Sequence, residues 1–222
     1  MALHAILFDL DQTLHDRVAS LPRFARDQYA RLGAEPTRAD EFVARFVALD
    51  AGGKVWKDRV YEQLVAEFPL PGSPAVAKLV ADYLTVYPHH ALLMPGAATV
   101  LPQLREAGLK IGLVTNGRSD LQRAVIAALG LAPWLDAIII SEEVGCRKPE
   151  ARIFHLALAK LGSVAAATLM VGDNYEADVA GAAAAGLWAV QLGPRHPANP
   201  ALAVATLGDL PARIRQISER LP

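Results

Sequence analysis

Apolar residues along this chain gather into short runs that stop abruptly at polar ones, and the runs recur with a steady rhythm. Ala5 to Phe8, Lys110 to Thr115, Ala137 to Ile140, Thr168 to Val171 and Trp188 to Leu192 have the length and composition of buried strands. Between the later runs, apolar positions repeat at helical spacing. Helices are predicted from Pro95-Gly96 to about Ala107, from Asp120 to Leu129, from Pro149-Glu150 to Leu161 and from Glu176 to Ala185. Gly108, Gly130, Gly162 and Gly186 stand where each would stop. Strand and helix in alternation predict an α/β fold, a parallel sheet with helices on both faces.

The connection between the first two strands departs from this rhythm. About eighty residues stand where one crossover helix would suffice, and no stretch of them reads convincingly as a strand. Their apolar spacing predicts four helices instead, Pro22 to Leu32, Ala39 to Leu49, Val55 to Phe68 and Pro74 to Tyr87. The expected organisation is an α/β core at 1–15 and 94–222 with a helical bundle at 16–93 inserted into it. Within the insert, Lys54-Val55-Trp56-Lys57-Asp58-Arg59 is locally basic. A solvated helix face accounts for that stretch. The functional alternative is that Lys54 or Lys57, beside Gly52-Gly53, reaches a substrate anion.

Composition narrows the partners. A 222-residue chain that is 53% hydrophobic can bury a sizeable core. With 22 basic and 23 acidic residues, it has no electrostatic footprint for nucleic acid or an anionic membrane, so recognition of phosphate must be local. No run approaches the ~18–20 apolar residues of a membrane span. Cys146 is the only cysteine, which excludes an internal disulfide and suits a cytoplasmic protein. The apolar stretch before Asp9 is too short to read as a secretion signal. Either a monomer or a homodimer is compatible with these numbers.

The chemistry gathers where the strands end. The first run leads into Asp9-Leu10-Asp11-Gln12-Thr13, two carboxylates one residue apart at the edge where open α/β sheets bind ligands. Carboxylates of this kind suit Mg²⁺, and one of them can also attack phosphorus; the same residues also suit a plain polar turn. The second run ends in Thr115-Asn116-Gly117, a hydroxyl, an amide and a glycine that can offer phosphate a hydroxyl and backbone N–H groups. After the third, Lys148 precedes Pro149, which is expected at the first position of a helix and so points the ammonium over the sheet edge. The fourth ends in Gly172-Asp173, with Asp178 in the first turns of the helix that follows; capping that helix is the ordinary role for either carboxylate. His15, Arg118 and Arg147 flank these motifs as candidate substrate contacts.

Taken in order, Asp9 and Asp11, Thr115, Lys148, and Asp173 with Asp178 resemble the signature of the haloacid dehalogenase-like hydrolase superfamily, and the resemblance covers the whole chain. It implies a Rossmann-like core with an α-helical cap, placed as in the branch that holds phosphoglycolate phosphatases and small-nucleotide phosphatases. It further implies a Mg²⁺-dependent phosphatase. In it, Asp9 is the nucleophile that becomes an aspartyl phosphate, and Asp11 is the general acid and base. Thr115, Asn116 and Gly117 bind phosphate, and Lys148 neutralises charge. Asp9 and Asp173 bind the metal by carboxylate and Asp11 by its carbonyl, while Asp178 supports Lys148 or a metal-bound water. The expected substrate is a small phosphorylated metabolite: a sugar phosphate, phosphoglycolate or a nucleoside monophosphate. Dehalogenases lack a carboxylate at the position of Asp11, because a halide needs no protonation on leaving. Gln12 replaces a glycine often found there. A phosphotransferase or mutase, a dehalogenase, and a non-catalytic binding module are the alternatives that remain open at this point.

Overall fold

The computed structural model describes residues 3–199 and 202–219. The chain divides into two compact units, with the breaks at Asp16/Arg17 and Leu92/Leu93.

The first unit is the α/β part. Its sheet contains β1 (Ala5–Phe8), β2 (Lys110–Thr115), β3 (Ala137–Ile140), β4 (Thr168–Gly172), β5 (Trp188–Leu192) and β6 (Ala203–Val204), in the order β3-β2-β1-β4-β5-β6 with every pair parallel. Strand order reverses between β1 and β4. The carboxyl ends of those two strands therefore flank the crevice in which sheets of this kind hold ligands. All four residues of β1 are buried, as expected for a strand with neighbours on both edges and helices on both faces.

The helices of this unit follow the predicted rhythm with shifted ends. They are Ala97–Glu106, Ser119–Ala128, a single turn at Ser141–Val144, Ala151–Leu161, Gly181–Ala184 and Leu210–Ser218. On one face of the sheet, Ile153, Phe154, Ala157 and Leu161 of the helix Ala151–Leu161 pack against Leu7, Val114, Ile139 and Met170. Each fully buried side chain of this size stabilises the fold by about 1.5–3 kcal/mol.

Two expectations need correction here, and two elements lie outside those expected. The helix expected to open at Pro149 begins at Ala151, because Glu150 is extended (φ −59, ψ 128) and its N–H closes a turn onto Arg147 O at 2.8 Å. The stretch Tyr175–Ala180 is a π-helical turn rather than ordinary helix. The short strand β6 and the helix Leu210–Ser218 were not foreseen.

The second unit, Arg17–Leu92, is helical: Arg17–Arg31, Ala39–Asp50, Lys57–Glu67 and Val76–Val86. The first helix starts five residues before Pro22, which lies inside it, because Ser20 and Leu21 already belong to its buried face. Aromatic rings fill the interior edge to face. Phe24 meets Tyr83 at 5.3 Å and 81°, Phe46 meets Tyr61 at 5.4 Å and 82°, and Phe42 meets Phe68 at 5.2 Å and 82°.

Charge also lies in this interior, on Asp50 and Lys57. Asp50 accepts hydrogen bonds from Arg17 (2.8 Å), from the Gly53 N–H (2.8 Å) and from the Lys57 ammonium. Burial opposes its charge, but Arg17 and Lys57 prevail and hold the carboxyl below its ordinary range. A lowered carboxylate contributes in full above its unfolded pKa near ~4, and the contribution is lost as pH falls through the lowered value. Lys57 is 2% exposed, which overturns the solvated-face reading for that residue; Lys54 is exposed.

Candidate active site

The site assembles at the carboxyl edge of the sheet, within the α/β unit. Asp9 follows β1 directly, and its N–H donates to Val171 O at 2.9 Å, which fixes the residue beside β4. The chain then winds into a tight loop in which the N–H groups of Thr13, Leu14 and His15 all donate to Leu10 O, at 3.2, 2.9 and 2.8 Å. Gln12 carries φ 60 within that loop, a left-handed conformation that glycine adopts without a Cβ penalty. The Asp11 carboxylate meets His15 Nδ1 at 2.7 Å through Oδ1 and Gln122 Nε2 at 3.3 Å through Oδ2.

Lys148 crosses to Asp9 from the loop after β3. Its ammonium lies 2.5 Å from Asp9 Oδ1 and 2.6 Å from Asp178 Oδ1, and the residue is 3% exposed. The backbone that carries it is clamped by Asn116, whose Nδ2 donates to Lys148 O at 2.9 Å while its Oδ1 accepts from Lys148 N at 2.9 Å. The Asn116 side chain thus works as a brace on the lysine.

Asp173 follows β4 directly. Asn174 then caps the π-helical turn, its side chain accepting from Ala177 N at 2.9 Å, and this turn brings Asp178 back over the end of β4. There Asp178 also accepts from Asn174 N at 3.1 Å. Gly172 makes the return possible: a Cβ at that position would sit 2.3 Å from Asp178 Oδ2 and 2.6 Å from its Cβ. Gly172→Ala is accordingly expected to cost about 1–3 kcal/mol by overpacking. Because the displaced carboxylate is one of the two that hold Lys148, the thermal midpoint of the variant should fall below that of the wild type.

The electrostatics of the cluster are unbalanced. Asp9, Asp173 and Asp178 each present a carboxylate oxygen within 4.8 Å of the others, and Lys148 supplies one positive charge against the three. Burial pushes the Asp9 carboxyl well above its ordinary range; Lys148 pulls it down and the charge of Asp178 raises it again. Asp173 is pushed up to about 6, first by burial and then by Asp178. Burial also disfavours the Lys148 ammonium, but Asp9 and Asp178 overcome this and raise it above its ordinary range, so the lysine keeps its proton. Three hard oxygen donors with an excess of negative charge fit a small divalent cation.

Thr115, 1% exposed, ends β2 and accepts from Gln122 Nε2 at 2.9 Å. Gly117 departs from its expected role: its N–H donates to Ser141 Oγ at 3.0 Å and is therefore engaged within the protein. His15, a candidate substrate contact, is fully buried against Asp11. Arg118 forms a two-pronged pair with Asp120, and Arg147 is exposed. The structure thus gathers Asp9, Lys148, Asp173 and Asp178 into one cluster, with Asp11 and Thr115 joined beside it through Gln122. Sequence reasoning overlooked Gln122. Its one signal is an uncharged amide on the inward face of the helix that follows Thr115.

The model of the haloacid dehalogenase-like hydrolases matches residues 3–186. The chain belongs to that family. A ribulose-1,5-bisphosphate 5-phosphatase from Halopiger xanaduensis is 34% identical to this hydrolase, over 88% of the chain and 87% of the relative. A phosphoserine phosphatase from Thermus thermophilus is 36% identical, over 73% and 67%. Among solved structures, the HAD-hydrolase YfnB from Bacillus subtilis, bound to magnesium, superimposes with a TM-score of 0.73 at 24% identity, covering 96% of this chain and 99% of that one, a likeness of fold. Among the described residues of the hydrolase, no helix is long and apolar enough to cross a membrane.

Proposed function

We propose that this hydrolase is a Mg²⁺-dependent phosphatase of a small phosphorylated metabolite, working through a phosphoryl group carried on Asp9. The observation that carries the reading is the separate placement of two neighbouring carboxylates. Asp9 lies in the cluster against Lys148, while Asp11, two residues on, is held outside it by His15 and Gln122. Carboxylates kept in different surroundings can take different parts in one reaction.

In the first step an Asp9 oxygen attacks phosphorus and the bond to the leaving oxygen breaks, while the Asp11 carboxyl gives that oxygen its proton. In the second, Asp11 takes a proton from water as the water attacks the phosphorus on Asp9, and inorganic phosphate departs with restoration of the carboxylate. Lys148 offsets the charge of Asp9 and of the phosphoryl oxygens as they approach, and the Thr115 hydroxyl and Asn116 N–H hold those oxygens. Asp9 and Asp173, with the Asp11 carbonyl, would hold Mg²⁺, and Asp178 would keep Lys148 in place. A bound Mg²⁺ supplies further positive charge to the phosphoryl group.

Asp11 supports phosphate chemistry over dehalogenation, since a halide leaves without a proton. The names of the relatives support phosphatase activity, and their different substrates leave the leaving group open. We assign the choice of leaving group to the helical unit as a cap, supported by its insertion directly after the Asp9–Asp11 loop. The single cysteine supports a cytoplasmic location.

The test is release of nitrophenolate from p-nitrophenyl phosphate with Mg²⁺ and with chelator, and then turnover across a panel of phosphorylated metabolites. Activity indifferent to chelation would defeat the metal-dependent reading. A second readout needs no substrate. Asp9 and Asp173 have raised pKa values, so at these two sites the metal-free native state binds protons that the unfolded chain does not, and their contribution to stability falls as pH rises, for Asp173 through about 6. Mg²⁺ competes with those protons. It should therefore raise the thermal midpoint by several degrees at pH 8, as about 2–3 kcal/mol of binding would, and by less at pH 5.

A further inference from the structure

We infer that Gln122 is a positioning residue, the tie that holds Asp11 in line for proton transfer and fixes Thr115 relative to it. The inference rests on the phosphatase reading and extends it to a residue outside the motif set. Gln122 is 3% exposed, near the start of the helix Ser119–Ala128. Its Nε2 lies 2.9 Å from Thr115 Oγ1, 3.3 Å from Asp11 Oδ2 and 3.4 Å from Asn116 O. An amide nitrogen has two hydrogens, and these acceptors use both. Because Thr115 Oγ1 accepts from the amide, its own hydrogen is directed to another acceptor, which in the proposed reaction is a phosphoryl oxygen.

The second observation is independent of those contacts. A Cβ on Gly117 would lie 2.9 Å from Gln122 Nε2, 3.0 Å from its Cγ and 3.1 Å from its Cδ. The φ of Gly117 is not in the left-handed region, so the backbone does not demand glycine there. What demands it is room for the Gln122 side chain. The opposite oxygen of Asp11 is fixed by His15 at 2.7 Å, so the carboxylate is gripped from two sides. Proton transfer is sensitive to such a grip: a misplacement of ~1 Å costs ~10²-fold in rate.

The first step moves one proton from the Asp11 carboxyl to the leaving oxygen as the P–O bond breaks. A leaving group that is a poor base barely needs that proton. Phenyl phosphate releases phenol, as weak an acid as tyrosine at pKa ~10, whereas p-nitrophenolate leaves readily without help. The experiment compares kcat/KM for these two esters in the wild type, in Gln122→Met, which keeps the volume and removes both donors, and in Gly117→Ala, which pushes Gln122 aside. In both variants the preference for the nitrophenyl ester should rise by about tenfold or more over wild type, through loss on phenyl phosphate. Pre-steady-state traces should also gain a burst of nitrophenolate, because water activation in the second step uses the same carboxylate.

Equal losses on both esters, without a burst, would overturn the inference and leave Gln122 a packing residue. Gly117→Ala decides the matter if Gln122→Met does not fold. An inactive wild type, or one matched in rate by Asp9→Asn, would overturn the phosphatase reading underneath and the inference with it.

Discussion

Asp9→Asn is expected to lower kcat/KM toward p-nitrophenyl phosphate by at least about 10⁴-fold, a loss of about 5.5 kcal/mol of transition-state stabilisation. The amide has nearly the shape of the carboxylate and no anionic oxygen to attack phosphorus. Its neighbours are unchanged, so a reaction that needed only a charged cleft would survive the substitution in part, whereas a reaction through Asp9 itself would not. Stability should separate from activity. The variant loses the pair with Lys148 but also removes one of three clustered carboxylates, and these effects oppose one another. A thermal midpoint within a few degrees of wild type is the expected result, with mass spectrometry after a pulse of substrate showing an added phosphoryl group on the wild type alone. Comparable turnover by a folded variant would remove Asp9 from the role of nucleophile.

The parts of this molecule that were legible in the sequence are those set by local pattern. Ala5–Phe8 and Lys110–Thr115 are apolar runs whose interior residues have no polar alternative, so their limits and the polar residues after them could be read directly. That reading located Asp9, Thr115, Lys148 and Asp173 at one edge, because a parallel sheet delivers every strand end to the same side. What escaped depends on individual side-chain contacts, near or distant, or on too few residues to show a pattern. Gln122 meets Asp11 across 111 residues, and nothing in its own helix announces the partner. Lys57 sits in a segment that reads as solvated, and it is buried because Asp50, seven residues earlier, accepts its charge. The π-helical turn follows from side-chain bonds of Asn174 and Asp178 to nearby N–H groups, which apolar spacing does not encode. β6 is only two residues long, with a partly exposed Ala203, too little for periodicity to register.

Lys148→Met should damage the fold as well as the reaction, and the way its effect varies with pH identifies the cause. The methionine fills much of the lysine's volume and leaves Asp9 and Asp178 facing one another without their shared cation. Stripping a buried charge of its partner costs about 3–5 kcal/mol, so at pH 8 the thermal midpoint should drop by about 10 °C. Activity should fall by about 10³-fold, since Lys148 is proposed to offset the charge of the incoming phosphoryl oxygens. In the wild type burial already raises Asp9, and without Lys148 it rises further. At Asp9 the native variant then binds a proton that the unfolded chain does not, so the contribution of that site to stability increases as pH falls toward the ordinary carboxylate range near ~4. The deficit relative to wild type should accordingly shrink between pH 8 and pH 5. A deficit of the same size at both pH values would trace the loss to packing around the lysine stem and would mean that the ammonium is not what holds the carboxylates together.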